Sequence, residues 1–174
     1  EAFEDLFQRF VHCSDGCFSP EGNSRAVVTL NSPGGNYNTG LALARYFREK
    51  SIATVVENGS YCYSACAFAF LGGSGFSTQN GVGAYIDRTI QPGAIVGFHA
   101  PYYPPDSLTD LVNQMGVDGV LGGNREAIAL MVEKLVEWNV DPRVIARMVL
   151  QGPNETYDLA SPEDLYMVRA NLPN

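Results

Sequence analysis

The sequence is poor in basic residues and has no long apolar segment. Eleven lysines and arginines stand against 19 acidic residues, for a net charge of −8, and the only lysines are Lys50 and Lys134. Because no cluster of basic residues is present, a polyanion would be repelled, and nucleic acid is not an expected partner. The longest apolar run, Ala65 to Leu71, is far shorter than the roughly 20 residues of a membrane-spanning helix.

The chain has no initiator methionine and begins at Glu1 inside a helical pattern. We interpret it as a trimmed or processed product, which is compatible with a removed leader or membrane anchor. Its 45% hydrophobic and 17% charged residues are typical of a folded globular protein. No repeat or linker divides the 174 residues, a length that suits one domain, so we expect a single domain over 1–174.

Cysteine and histidine are also scarce. The four cysteines fall as two close pairs, Cys13/Cys17 and Cys62/Cys66, and neither pair has the CxxC spacing of a zinc ribbon or redox motif. Buried thiols and disulfides formed in an oxidising compartment both fit this count. His12 with Cys13 and Cys17 would be one ligand short of a zinc site, so no metal is expected.

Apolar runs and turn residues alternate along the chain in the order of a βαβ fold. The β-branched run from Ala26 to Leu30 ends at Pro33-Gly34-Gly35, which is typical of a buried strand that feeds a tight turn. Solidly apolar strands are typical of parallel sheets that are covered on both faces. The sequence therefore predicts an α/β fold with a mostly parallel sheet and crossover helices. The predicted strands are 26–30, 52–56 and 94–98 with an extended piece at 156–159; the predicted helices are 3–11, one from Asn38 or Thr39 to about Lys50, 64–71, 106–117, 124–139, and two that open at Asp141 and Ser161; and 72–93 is expected to be irregular.

Ser64 has the sequence environment of a nucleophile. It follows a strand and turn and opens an apolar helix, where unpaired backbone N–H groups favour a developing oxyanion. Its small neighbours Ala65 and Ala67 would let a substrate backbone approach closely. A serine in this place is also a common N-cap, so Ser64 alone does not establish a site.

A nucleophilic serine needs a base within hydrogen-bond reach. The chain has two histidines, and a structural role is expected for His12 at the end of the first helix, which leaves His99 as the candidate base. The turn at Gly34-Gly35 by itself indicates only the end of a strand. However, this turn, Ser64 and His99 follow successive predicted strands, and open α/β sheets place their sites at the C-terminal ends of strands.

Three sequence blocks resemble the signature blocks of the Clp protease proteolytic subunit, in the same order. They are Leu30–Gly35 (LNSPGG), Ser64–Phe68 (SACAF) and Phe98–Pro101 (FHAP). The cysteines that flank the serine, Cys62 and Cys66, are similar to those of a Clp-like branch predicted to be periplasmic or membrane-anchored. The resemblance implies a Clp/crotonase-like fold with ββα-type repeats, and a serine peptidase.

The resemblance also implies the roles of individual residues. Ser64 would be the nucleophile and His99 the general base. The oxyanion would be held at the Gly-Gly turn, Gly34 and Gly35, and by the N–H group of Ala65, which follows the serine. No cofactor is implied.

The acid of the triad is where the sequence departs from the family pattern. Counted back from Ser161-Pro162-Glu163, the family's aspartate position falls on Thr156. Asp158 would point to the same face of an extended segment, so it is the expected acid. The neighbouring Glu155, or a Ser–His dyad without an acid, is the alternative.

The resemblance further implies a peptide or protein substrate, a homo-oligomer with 106–117 and 124–139 as contact surfaces, and a periplasmic or otherwise extracytoplasmic location. Two rival functions remain. A crotonase-like acyl-CoA enzyme would need Glu acids and bases, and none stands near the Gly-Gly turn or the serine. A non-catalytic binding or assembly module would keep the fold without the acid.

Overall fold

Helices and strands alternate along the computed structural model, which describes residues 2–11, 22–152 and 154–171. The helices are α1 Ala2–Phe10, α2 Tyr37–Lys50, α3 Ala65–Phe70, α4 Pro105–Glu137, α5 Pro142–Val149 and α6 Pro162–Met167. The strands are β1 Ala26–Thr29, β2 Ile52–Val56, β3 Tyr61–Tyr63, β4 Ser74–Ser77, β5 Gly83–Ile86, β6 Arg88–Ile90, β7 Ile95–Phe98 and β8 Tyr157–Asp158.

The described strands form two small sheets that contain parallel pairs, together with one antiparallel pair. The first sheet has the order β1-β2-β6 and is parallel throughout. In the second, β7 pairs with β3 in parallel and with β8 in antiparallel orientation, while β4 pairs with β5. A parallel bridge between Ser32 and Cys62 joins the end of the first sheet to the second. The predicted α/β class with parallel strands is confirmed, in two small sheets instead of one.

Helix α3 lies at the centre of the core. All of its residues from Ala65 to Phe70 are buried, which explains why the helix has no polar face. Helix α2 packs against it at backbone distance, since a Cβ on Gly40 would lie 2.4 Å from the Ala65 carbonyl oxygen. A Cβ on Gly72, just after α3, would lie 2.3 Å from the Ala44 carbonyl oxygen of α2. These two contacts hold both ends of α3 against α2.

Arg88 on β6 ties two helix ends to the first sheet. Its side chain is fully buried, and its guanidinium donates to the carbonyl oxygens of Trp138, at 2.9 Å, and Val168, at 2.6 Å. These carbonyls belong to the C-terminal caps of α4 and α6, where backbone oxygens lack partners within the helix. Burial, with a smaller contribution from the positive charge of Arg48, lowers the pKa of Arg88 to about 9. The side chain is therefore still a cation at neutral pH, matched to the negative ends of both helices.

The expectation of an irregular segment at 72–93 is wrong, because β4, β5 and β6 lie within it. Strand β4 has the sequence Ser-Gly-Phe-Ser, and its small residues give none of the apolar alternation that indicates a strand. Its Gly75 pairs with Tyr85 on β5, and a Cβ on Gly75 would lie 2.4 Å from the Tyr85 hydroxyl. The tyrosine ring thus covers the glycine, a known way to stabilise glycine within a strand pair.

Three other features of the secondary structure differ from the sequence prediction. The helices expected at 106–117 and 124–139 are two helical segments of α4, separated at Gly116, where φ is 73° and ψ is 168°, so the second segment begins earlier than predicted. Helix α2 is capped by Asn36 instead of Asn38 or Thr39, since the Asn36 carboxamide oxygen accepts the Thr39 N–H at 3.0 Å. The short strand β3, which leads into Ser64, was not predicted.

A buried carboxylate, Asp164, holds β8 in place. It accepts hydrogen bonds from the hydroxyls of Tyr157 and Ser161, from the N–H groups of Ala160 and Ser161, and from Arg147 at 3.0 Å. Burial alone would raise the pKa of Asp164, but the hydrogen bonds from Tyr157 and Ser161 outweigh it and hold the pKa below its ordinary value. Because Tyr157 lies in β8, this network fixes the strand that runs beside β7.

We predict that Asp164→Asn destabilises the fold at neutral pH and that the penalty shrinks in acid. A carboxylate whose pKa is lowered on folding contributes stability above its unfolded pKa, and this is lost as the pH falls through the folded pKa. Loss of the charged acceptor should cost about 1–3 kcal/mol at pH 7 in urea unfolding, and less below about pH 4. Glu163→Gln is the matched control, because the exposed ion pair between Glu163 and Arg143 should contribute under about 1 kcal/mol to stability. Equal penalties at both pH values would contradict the prediction.

Candidate active site

The backbone of Ser64 is held in a conformation that residues other than glycine rarely adopt. Ser64 joins β3 to α3 with φ 56° and ψ −123°, and its side chain does not cap the helix. Such a backbone costs on the order of 1–3 kcal/mol and persists only where the surroundings enforce it. A sharp, strained strand-to-helix turn is also how α/β-hydrolases expose a nucleophilic hydroxyl. The plain N-cap interpretation of Ser64 therefore does not fit the geometry.

Contacts on both sides enforce this turn. The Ser64 N–H donates to the Gly97 carbonyl of β7 at 2.9 Å, and the Ser64 carbonyl accepts from Phe68 in the first turn of α3 at 3.2 Å. Gly34, with φ 109°, lies directly against the serine. A Cβ at position 34 would stand 2.7 Å from the Ser64 Cβ and 3.2 Å from the Ala65 nitrogen. Only glycine therefore fits here.

Cys62 and Cys66 form a disulfide across the turn. It joins β3 to the first turn of α3, with Cα atoms 5.2 Å apart, so that the two cysteines bracket Ser64. Of the two interpretations left open by the sequence, the disulfide holds for this pair. His12, Cys13 and Cys17 lie outside the described residues.

The structure offers two backbone N–H groups beside Ser64. The N–H groups of Gly35 and Ala65 donate no hydrogen bond within the described parts of the chain. The Gly34 N–H, by contrast, donates to the Ser32 hydroxyl at 3.1 Å. Gly35 and Ala65 are therefore the available oxyanion donors, and the missing side chain of Gly34 lets the glycine turn pack against Ser64.

His99 follows β7 and lines the same cavity as Ser64 and Gly35, a cavity of about 710 Å³. Its Nδ1 lies 2.8 Å from the backbone carbonyl oxygen of Ala100, and its ring packs against Tyr102 with centroids 5.3 Å apart. The topology thus brings the candidate nucleophile, base and one oxyanion donor to one cavity. No hydrogen bond joins Ser64 to His99 in the described structure.

Among the described residues, Asp158 forms no hydrogen bond with His99. It pairs with Gly97 in the β7–β8 ladder, and its Oδ1 is buried with no hydrogen-bond partner among the described residues. A Cβ on Gly97 would lie 2.4 Å from this oxygen. The same Cβ would lie 2.5 Å from the Tyr63 ring. Burial raises the pKa of the Tyr63 phenol, and the charge of Asp158 raises it further. Glu155 is exposed.

The walls of the cavity are aromatic and carboxamide side chains. No Asp, Glu, Lys or Arg side chain is among the described residues that line it. Tyr37 donates its hydroxyl to the Ala127 carbonyl at 2.9 Å, and burial raises its pKa to about 12, so it stays neutral. The sequence analysis did not predict these wall residues, although the Pro-Tyr-Tyr-Pro stretch at 101–104, two residues after His99, was a usable signal. The wall side chains are Tyr37, Tyr63, Phe68, Tyr102, Tyr103, Asn36, Asn38, Asn124 and Asn154.

The described residues contain neither a metal-binding cluster nor a membrane-spanning helix. No group of three His, Cys, Asp or Glu side chains there could hold a metal ion. None of the helices that the structure describes is both long and apolar enough to cross a membrane.

No model of a known protein family matches this sequence, and no curated protein matches it either. The chemistry of the site must therefore be inferred from its own geometry.

We predict that Gly34→Ala is far more destabilising than Gly35→Ala. Both glycines have positive φ, at 109° and 151°, but a Cβ at position 34 collides with Ser64, whereas one at position 35 meets no described atom within 4 Å. Urea unfolding should show a loss of about 3 kcal/mol or more for Gly34→Ala, where backbone strain and the collision add, and about 1–2 kcal/mol for Gly35→Ala, where backbone strain acts alone. Similar losses would mean that position 34 does not press on the serine.

Proposed function

We propose that this protein is a serine hydrolase of the Clp/crotonase-like type, a peptidase that cleaves extended peptides at Ser64. One observation carries the proposal: Ser64 is held in a strained strand-to-helix turn that opens into the cavity lined by His99 and Gly35. A strained backbone that the surroundings maintain without a packing or capping benefit favours a functional role.

The proposed reaction is acyl transfer to water. The Ser64 Oγ attacks a peptide carbonyl carbon while Nε2 of His99 takes the hydroxyl proton. The carbonyl oxygen becomes an oxyanion that accepts hydrogen bonds from the N–H groups of Gly35 and Ala65. In other enzymes each such donor stabilises the transition state by roughly 3–4 kcal/mol. The C–N bond then breaks, and the amine leaves with the proton from Nε2. Water, deprotonated by the same nitrogen, attacks the acyl carbon. The bond from this carbon to the Ser64 Oγ then breaks, the acid leaves, and Nε2 returns the proton to Oγ.

The cavity suits a peptide better than an acyl-CoA. Its carboxamides and free N–H groups offer donors and acceptors to a peptide backbone, and its aromatic rings offer contact to apolar side chains. Because no cationic side chain is among its described lining residues, nothing there would pair with the phosphates of CoA. These features favour the peptidase over the crotonase-like rival.

Assembly and location belong to the same proposal. Helix α4 exposes several large apolar side chains, which favours burial against a second copy of the chain. The Cys62–Cys66 disulfide favours a periplasmic or otherwise extracytoplasmic location, where disulfides persist. The exposed apolar residues of α4 are Leu108, Met115, Val117, Leu121, Leu130, Val132 and Val136.

We predict that a fluorophosphonate probe labels the folded protein once, at Ser64. Labelling should be absent in Ser64→Ala and slowed about 10²–10⁴-fold in His99→Gln, because loss of the base leaves the hydroxyl protonated. Intact mass and peptide mapping identify the site, and Ser60→Ala, whose serine lies outside the cavity lining, should label like the wild type. A folded wild type that is not labelled would favour the rival proposal of a non-catalytic module.

A further inference from the structure

The hydrogen bond of His99 defines its tautomer. Within residues 22–152 and 154–171, the ring makes one hydrogen bond, between Nδ1 and the Ala100 carbonyl oxygen at 2.8 Å. A carbonyl oxygen can only accept, so Nδ1 must carry the proton. In the neutral imidazole the lone pair is then on Nε2, which is the nitrogen that a general base requires. His99 is thus in the catalytically competent tautomer without any carboxylate.

The strand register does not place Asp158 directly opposite His99. Strands β7 and β8 pair Gly97 with Asp158 and Phe98 with Tyr157. Continued by one residue, this antiparallel register places Thr156 opposite His99. Thr156 also lines the cavity with His99, whereas Asp158 does not.

Asp158 has a different set of neighbours. Strand β3 pairs Tyr63 with Gly97, so Tyr63, Gly97 and Asp158 form one row across the second sheet. The missing side chain of Gly97 leaves the space that the Asp158 carboxylate and the Tyr63 ring enter from either side, since a Cβ there would lie 2.4 Å and 2.5 Å from them. The Asp158 carboxylate therefore lies in the row of Gly97, which is two residues before His99 along the chain.

We propose that the Ala100 backbone carbonyl, and not a carboxylate, orients His99, and that position 156 is the side-chain position that faces the imidazole. This rests on the proposed function of Ser64 and His99. During attack, the Ser64 proton moves to Nε2, and the Nδ1 proton stays in its hydrogen bond to the carbonyl. A neutral acceptor stabilises the resulting imidazolium less than a carboxylate does, so the site is a slower hydrolase than one with a full triad.

The first test reads the tautomer directly. Long-range ¹H–¹⁵N NMR at alkaline pH, where imidazoles are neutral, distinguishes protonated from bare ring nitrogens. The signals of His99 are assigned by their loss in His99→Gln. We expect the Nδ1–H form in the wild type, unchanged in Asp158→Asn and in the control Glu155→Gln. A switch to the Nε2–H form in Asp158→Asn would overturn the proposal, because that is the effect of removing a triad aspartate.

The second test measures the rate of fluorophosphonate labelling. Asp158→Asn should slow labelling by less than about tenfold, whereas removal of an orienting acid costs about 10⁴. Thr156→Asp should label at least about tenfold faster than its isosteric control Thr156→Asn, because a carboxylate opposite His99 would stabilise the imidazolium. A loss of about 10³ or more in Asp158→Asn, or equal rates for the two Thr156 variants, would contradict the proposal.

These two tests separate this proposal from the proposed function. The NMR measurement needs no activity, so it reports the orientation of His99 even if Ser64 is never labelled. Absence of labelling with the Nδ1–H tautomer intact would reject the hydrolase and leave the histidine arrangement standing.

Discussion

The constraint on which the site depends is the backbone of Ser64, turned to positive φ between β3 and α3. An L-residue keeps this conformation only where surrounding contacts enforce it, and such contacts are present on several sides of Ser64. The Ser64 N–H is tied to β7 through Gly97, and the disulfide from Cys62 to Cys66 closes the turn. Relaxing the turn would move the serine hydroxyl and the Ala65 N–H together.

Backbone contacts of glycine make this turn part of the core. Gly34, in the turn that follows β1, packs against Ser64, and Gly40 brings α2 against the Ala65 carbonyl. The turn at Ser64 is thereby packed in place together with α3, whose residues are all buried. Further away, Arg88 and Asp164 anchor the C-terminal helices and β8, so that the strand beside β7 keeps its register. The site is thus held in its geometry by residues that take no part in the proposed reaction.

Much of the site could be predicted from the sequence, because its parts follow strands that local patterns reveal. Ser64, His99 and the Gly-Gly turn reach one cavity since the C-terminal ends of parallel strands meet at one edge. The place of Asp158 could not be predicted in this way. It depends on the register of a two-residue antiparallel strand, which non-local packing around Tyr157 sets. The strands within 72–93 were not predicted for a related reason. The small residues of β4 are stabilised by a facing tyrosine on β5, and such residues show no alternation of apolar and polar positions.

The most direct test of the account is a crystal structure of the protein after reaction with diisopropyl fluorophosphate. The account predicts a phosphoryl group on the Ser64 Oγ, with its free oxygen about 2.7–3.1 Å from the nitrogens of both Gly35 and Ala65 and with the positive φ of Ser64 retained. An adduct whose oxygen points away from both nitrogens, or an unmodified Ser64 in a crystal soaked to completion, would contradict it.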